Sequence, residues 1–360
     1  MSNHQIKAEK KPKIEIVKSK SFLMRPIPLY FFLILLLPII LLFYSFHQPK
    51  RNKPYDATEI NQMADNNDCS VIIRQKDTGL IKPLLFVESY RNEESYKPLK
   101  LKIDNYLKQK SQDGSISTAS VYMNDLTTAN HFEINPQELY DPASLIKVSL
   151  MIVYLKEAET NPSTLKKKIF FSSKYDEDYA ATIKDVTISV GKQYSVSELL
   201  YHMIVYSDNE AFWLLIDNSD ASAITKLNES FGIPINTDKI HNRKIAPNFV
   251  ANANSISRFF RVLYSATYLN REMSQYALSL LTQSKYKEGL LKGVEKNIRV
   301  AHKFAEREEG GVIQLHEFGI VYLPNNPYLI GVMTKGKDKA QLSVVISDIS
   351  KIAYDELKSK

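Results

Sequence analysis

Apolar and polar residues fall into three regimes along the chain. Residues 27–46 are almost unbroken in apolar side chains, and no charge lies between Arg25 and Lys50. Twenty such residues at about 1.5 Å each span about 30 Å, the thickness of a bilayer's hydrocarbon core. Residues 47 to about 80 are polar and irregular, with Gln48-Pro49-Lys50-Arg51-Asn52-Lys53-Pro54 and Asp65-Asn66-Asn67-Asp68. They read as the start of a linker over 47–94. From residue 95 onward, periodicity takes over. Leu99, Leu101, Ile103 and Leu107 mark a helix over 99–109, residues 116–126 roughly alternate as a strand, and 131–134 is its hairpin partner. Asp141-Pro142-Ala143-Ser144 opens a helix, with Asp141 as N-cap and Pro142 at the first helical position. Residues 160–290 are mainly helical, broken at Asn161-Pro162, Gly191, Gly232-Ile233-Pro234 and Ala246-Pro247. Strands return over 298–305, 312–323 and 328–334, the last two joined by Pro324-Asn325-Asn326-Pro327. Leu342, Val345, Ile346, Ile349 and Ala353 then form one face of a closing helix. This order predicts an α/β (α+β) domain over 95–360: an antiparallel sheet flanked by helices, with an all-α subdomain inserted at about 160–290.

Charge changes the picture only at the N-terminus. The net charge is +7, but residues 1–53 hold ten Lys/Arg against two Glu, so residues 54–360 sum to −1. A near-neutral body has no electrostatic basis for binding nucleic acid. Seven of the ten basic residues precede the apolar span and three follow it, which places the basic tail 1–26 in the cytoplasm and everything after residue 46 outside. A cleaved signal peptide is the competing reading. The long basic region, the length of the apolar run and the lack of a small-residue cleavage site after Phe46 favour an uncleaved transmembrane anchor. The single cysteine, Cys69, excludes an internal disulfide framework and a Cys-rich metal site. His131, His202, His241, His302 and His316 form no metal-ligand pattern, so strand histidines with satisfied partners are expected, and no metal or other cofactor.

Three short segments carry candidate chemistry. Ser144-Leu145-Ile146-Lys147 places a hydroxyl and an amine three residues apart in the first turns of a helix, where free N–H groups can stabilise an oxyanion. A lysine accepts a hydroxyl's proton only when burial or a second cation lowers its affinity for protons. The Ser-x-x-Lys spacing alone is unspecific, since it recurs at Ser163–Lys166, Ser189–Lys192 and Ser284–Lys287. Ser207-Asp208-Asn209 reads either as a polar turn capping the next helix or as part of the Ser144 pocket. Lys303, on a strand, is either an edge-strand solubility residue or the second cation. Trp213, behind Asn209, is expected in the core.

Taken together and in this order, the three segments resemble the serine β-lactamase and penicillin-binding protein superfamily, and class A β-lactamases most closely. Residues 121–126, Pro142-Ala143-Ser144 and Gly319-Ile320-Val321-Tyr322 are similar to that family's strands and active-site helix. The resemblance implies Ser144 as acylated nucleophile, Lys147 as general base and Ser207 as proton relay to the leaving nitrogen. It implies Asn209 and Lys303 as substrate-binding groups that also set the environment of Lys147, and the backbone N–H groups of Ser144 and Glu306 as oxyanion hole. Two departures stand out. Lys303-Phe304-Ala305 replaces Lys-Thr-Gly, which removes a hydroxyl and adds a methyl where substrate would lie. Residues 233–250 contain Asp238 as their sole acid, where class A enzymes carry the glutamate that activates deacylating water. The expected substrate is a β-lactam or a D-Ala-D-Ala-like amide of peptidoglycan. The alternatives are a carboxypeptidase or transpeptidase-like enzyme with slow β-lactam turnover, and a non-catalytic wall-binding module.

Overall fold

The computed structural model describes residues 70–74, 84–89, 96–128, 130–175, 183, 186–233 and 250–359. The basic tail, the apolar span 27–46, Cys69 and most of 233–250, including Asp238, lie outside them. Among the described residues no helix is long and apolar enough to cross a membrane.

The centre is a five-stranded antiparallel sheet in the order β4-β3-β9-β8-β7. Its strands are β3 (Thr118–Asp125), β4 (His131–Ile134), β7 (Val300–Glu309), β8 (Val312–Val321) and β9 (Tyr328–Gly336). Gly310-Gly311 joins β7 to β8 with positive φ at both residues (58° and 77°), the backbone that a two-residue hairpin with right-handed strand twist requires. Strand alternation divides the side chains between two cores. Val121, Met123, Ile330 and Val332 pack with Leu99, Ile103 and Leu107 of α1 (Lys97–Gln112) and with Val345, Ile346 and Ile349 of the closing helix α8 (Lys339–Lys358). Tyr122, Ala301, Ala305, Phe318, Leu329 and Met333 face the other way, into the helical subdomain.

That subdomain holds α2 (Ile146–Thr160), α3 (Val196–Val205), α4 (Asn209–Asp217), α5 (Ala221–Ser230), α6 (Ala253–Tyr264) and α7 (Arg271–Leu281). Nearly every residue of α2 from Ile146 to Leu155 is buried. A helix apolar on all sides belongs in the middle of a domain, so its one early lysine, Lys147, loses its water. Trp213 is half-buried and packs against this core.

Two expectations need correction. The insert is not all-α: β5 (Lys168–Phe170) and β6 (Gln193–Ser195) form a small antiparallel pair before α3. Three-residue strands are too short to show alternation. The linker expected over 47–94 contains, in its described part, the antiparallel pair β1 (Ser70–Arg74) and β2 (Leu84–Ser89). Leu85 of β2 is buried in the larger core, so this segment belongs to the folded body.

Candidate active site

Ser144 lies in a single 3₁₀ turn, Ala143–Leu145, that leads into α2. The expected N-cap works differently: Asp141 Oδ1 accepts the Ala143 N–H at 2.7 Å, while Ala143 itself is held at φ +43°. A non-glycine residue in the left-handed region costs about 1–2 kcal/mol, and such strain persists only where the surroundings enforce it. Here they do. Asp141 N–H donates to Gln314 Oε1 at 3.1 Å, Asp141 O lies 3.0 Å from His316 Nε2, and Asp141 Oδ2 lies 3.6 Å from Arg307. These contacts clamp the turn onto β7 and β8. Ser144 is half-buried, at the open end of α2.

The turn between α3 and α4 supplies the second segment. Asp208 caps α4, accepting the N–H groups of Glu210 and Ala211 at 2.9 and 3.3 Å. The same carboxylate takes Thr187 Oγ1 at 2.9 Å and Ile188 N–H at 3.0 Å, with His202 Nδ1 at 3.4 Å. Burial alone would raise its affinity for protons, but these donors hold it below the ordinary range and keep it ionised. The capping reading and the pocket reading of Ser-Asp-Asn are therefore both correct, for different residues of the triplet. Ser207, at φ +58°, and Asn209 turn inward to Lys147.

Lys147 Nζ donates to Ser207 O at 2.7 Å, Asn209 Oδ1 at 2.6 Å and Ser207 Oγ at 3.3 Å. Lys303 Nζ donates to the same Ser207 Oγ at 2.8 Å and to Phe304 O at 2.8 Å. One hydroxyl thus sits between two amines, which are 2% and 0% exposed. Lys303 is no solubility residue: its head is sealed in, 4.4 Å from the centre of the Phe304 ring. Burial pushes Lys147 down to about 7 against the pull of Asp208. Lys303 is also lowered, by burial first and then by repulsion from Lys147, with Glu317 opposing. Among the described residues no hydrogen bond joins Ser144 to Lys147; the amine rests on Ser207 and Asn209. A neutral amine keeps two N–H bonds for Ser207 O and Asn209 Oδ1 and turns its lone pair towards a hydroxyl proton.

Strand β7, which carries Glu306, lies against the Ser144 turn. The Glu306 carboxylate is held outside by Lys339 at 2.6 Å. Phe304 is stacked on Tyr286, with ring centres 4.1 Å apart, and is buried as part of the wall. Ala305 faces the helical core.

The β-lactamase enzyme family model matches residues 98–357. The chain belongs to this family. It is a serine hydrolase of the β-lactamase type, and its fold is that of known members. A class A β-lactamase from Bacteroides cellulosilyticus DSM 14838 superposes with TM-score 0.64 at 20% identity, over 75% of this chain and 100% of that one. PBP-A gives 0.60 at 19% identity over 73% and 97%, and a class A β-lactamase from Mycobacterium abscessus gives 0.60 at 18% over 70% and 97%. No curated protein matches the chain by sequence.

In this β-lactamase-family chain the hydrogen bonds join Lys147, Ser207, Asn209 and Lys303, and Ser144 lies three residues before Lys147 on the turn that leads into α2. Sequence reasoning did not find the clamp of Gln314, His316 and Arg307 on Asp141. Nor did it find Thr187 and Ile188 behind Asp208, because pairing across many residues leaves no local signal. Of the histidines expected on strands with satisfied partners, His316 has both ring nitrogens engaged, by Asp141 O and the Thr334 N–H, whereas His202 lies on helix α3. His302 pairs with Glu317 at 2.6 Å, and among the described residues its buried Nε2 has no hydrogen-bond partner.

Proposed function

We propose that the chain is a membrane-anchored, extracytoplasmic serine hydrolase that forms an acyl-enzyme at Ser144 with a β-lactam or a D-Ala-D-Ala-like amide. The observation that carries this reading is the Ser207 hydroxyl held between two buried amines beside the Ser144 turn. Ser144 Oγ attacks the carbonyl carbon while its proton passes to neutral Lys147. The resulting tetrahedral oxyanion is met by the Ser144 and Glu306 N–H groups, where one donor is worth about 10²–10³ in rate. The C–N bond then breaks, and the nitrogen leaves with the proton relayed from Lys147 through Ser207. Water later cleaves the ester, giving a carboxylic acid and returning a proton to Ser144.

The lack of any glutamate in residues 233–250 favours a slow final step. Acylation then proceeds while the ester persists, so β-lactams act more as inhibitors than as substrates. A PBP-A variant of the same fold has been crystallised as an acyl-enzyme complex with penicillin G, which supports the acylation half of this reading. The apolar run 27–46 supports the anchor, and a peptidoglycan peptide is the partner that this placement fits.

Intact mass after incubation with penicillin G, beside a Ser144→Ala control, tests the chemistry. A Ser144-dependent adduct that persists for hours is expected. An adduct that clears within minutes marks efficient hydrolysis, and no adduct with any of several β-lactams overturns the proposal in favour of a non-catalytic binding module. Protease treatment of intact cells tests the anchor: the domain should be digested while the N-terminal tail is protected.

A further inference from the structure

The sheet has a second polar recess at its other edge. β4 is the outer strand there, and β7, which carries Lys303, is the outer strand on the opposite side. Between β4, α1 and the start of α6 lies a cleft of about 260 Å³, with Lys100, His131, Glu133, Asn252, Asn254 and Arg258 in its walls. It sits where the chain crosses between the sheet and the helical subdomain. Tyr140 and Ala251 pair there as an antiparallel bridge, with N–H···O distances of 3.0 and 2.8 Å, and Asn252 follows at once. Junctions between packed units are a preferred place for small-molecule sites.

One part of the wall offers acceptors. Glu133 Oε1 takes the Asn254 side-chain N–H at 2.8 Å, and His131 Nε2 stands 3.9 Å from the same oxygen. Asn254 is 7% exposed, and among the described residues its Oδ1 has no hydrogen-bond partner. Turning the amide over gives no relief, since Oδ1 would then face the Glu133 oxygen. The bond to Glu133 therefore fixes the amide and leaves its carbonyl oxygen in want of a donor. The rest of the wall is cationic. Arg258 is held by Nη1–H donation to Phe231 O at 2.7 Å, and Lys100 comes from α1. Among the described residues the Lys100 ammonium has no acceptor. Asn252 caps α6 by accepting the Ser255 N–H at 2.9 Å, so the positive end of that helix's dipole also lies at the cleft. Buried polar side chains on an edge strand guard a sheet against pairing with another chain. That duty accounts for His131 and Glu133 but calls for neither Lys100 nor Arg258.

We propose that this cleft binds a free α-amino acid with a small side chain. The ligand's carboxylate lies on Lys100, Arg258 and the start of α6, and its ammonium donates to Glu133 and Asn254 Oδ1. Cations and acceptors in one recess suit a zwitterion better than a simple anion. The volume falls below the roughly 300–1,000 Å³ of a drug-sized site, which suits a molecule of amino-acid size. The site is separate from the Ser144 pocket, and the inference does not rest on acyl transfer there.

The test titrates the full chain with D-alanine, L-alanine, alaninamide, N-acetylalanine and acetate. Nitrogen-15 NMR of the side-chain amides of Gln137, Asn252 and Asn254, all in the cleft wall, reports occupancy. At least one alanine enantiomer should shift these signals saturably. Alaninamide lacks the carboxylate and N-acetylalanine lacks the ammonium. Each should bind at least about tenfold more weakly, the loss of one charge-assisted hydrogen bond. Acetate, which offers the carboxylate alone, should be weakened at least as much. Lys100→Met should weaken alanine binding at least about tenfold while the thermal midpoint of the free chain stays unchanged. The absence of a saturable shift with either enantiomer, up to the solubility of alanine, overturns the proposal. Equal binding by acetate or alaninamide overturns it too, as does alanine binding unaltered in folded Lys100→Met. Shifts at the Asn209 amide in place of the cleft amides would put the ligand in the Ser144 pocket and overturn it equally. Penicillin labelling plays no part in the readout, so failure of the acyl-transfer reading and failure of this one are separate results.

Discussion

Acylation should follow the titration of Lys147, and Asp208 should set where that titration falls. Lys147 is completely desolvated, and burial brings it to about 7 while Asp208 pulls the other way. Its neutral fraction is then about one in a hundred at pH 5, half at pH 7 and about nine in ten at pH 8. The pseudo-first-order rate of labelling by a fluorescent penicillin should therefore rise about a hundredfold from pH 5 to a plateau above pH 8. Asp208→Asn removes the opposing charge and should move the acid limb down by about one pH unit. Relative to its own plateau, the variant becomes faster at pH 6. It also becomes less stable, since an amide replaces a carboxylate that takes Thr187 Oγ1 and the N–H groups of Ile188, Glu210 and Ala211. Loss of charge-assisted bonds and a weaker helix cap should together lower stability by about 2 kcal/mol in urea titration. A labelling rate flat between pH 5 and 8 refutes Lys147 as base. An acid limb that does not move in folded Asp208→Asn refutes the electrostatic link between the two residues.

The same burial makes a stability prediction. A lysine whose folded pKa lies below its unfolded value near 10.5 binds fewer protons folded than unfolded between those limits, so its contribution to stability rises with pH from about 7 and is absent below. The difference in unfolding free energy between wild type and Lys147→Met should move towards wild type by about 2–3 kcal/mol from pH 7 to 9, and a difference independent of pH would contradict the shift. Ala143→Gly relieves the φ +43° strain at the Ser144 turn, and after glycine's entropic cost should stabilise by about 0.5–1 kcal/mol in thermal unfolding. Gly331→Ala drives a methyl into the Phe318 ring, deep in the sheet, and should cost about 1–3 kcal/mol.

What the chain discloses locally, it discloses well. The strands 131–134, 312–323 and 328–334 and the closing helix lie where alternation and helical spacing put them, because each has one face on a core and enough length to show it. The Ser144 turn reads as a helix entry, but Pro142 takes the cap position expected of Asp141, and its strain is not legible, since the clamp comes from Gln314 and His316, more than 170 residues away. The antiparallel pairs β1–β2 and β5–β6 are hidden because short strands flanked by polar residues look like linker or helix connection. Lys303 illustrates the limit most sharply. From sequence its strand position fits a solvated edge and a buried ammonium equally. Only the arrival of Ser207 from a turn 96 residues earlier decides between them.

Why the family pattern outlasts the loss of its Thr-Gly pair follows from the same geometry. A buried amine cannot be kept by its own strand. It needs acceptors, a counter-charge and exclusion of water, and these come from different parts of the chain. Lys303 has Ser207 Oγ, Phe304 O and Glu317, and Phe304 stacked on Tyr286 closes the water side. An apolar ring beside Lys303 stands where a hydroxyl was expected and seals the buried amine, through ring contact at 4.4 Å. The substitution therefore alters what lies beside Lys303 while preserving the two amines on the Ser207 hydroxyl. Phe304→Thr should restore a hydroxyl and at the same time admit water to Lys303. It should raise the affinity of Lys303 for protons, and it should lower stability by about 3 kcal/mol or more through the lost aromatic packing. Were the variant as stable as the parent, the ring would be a bystander, and the persistence of the two-amine arrangement would need another cause.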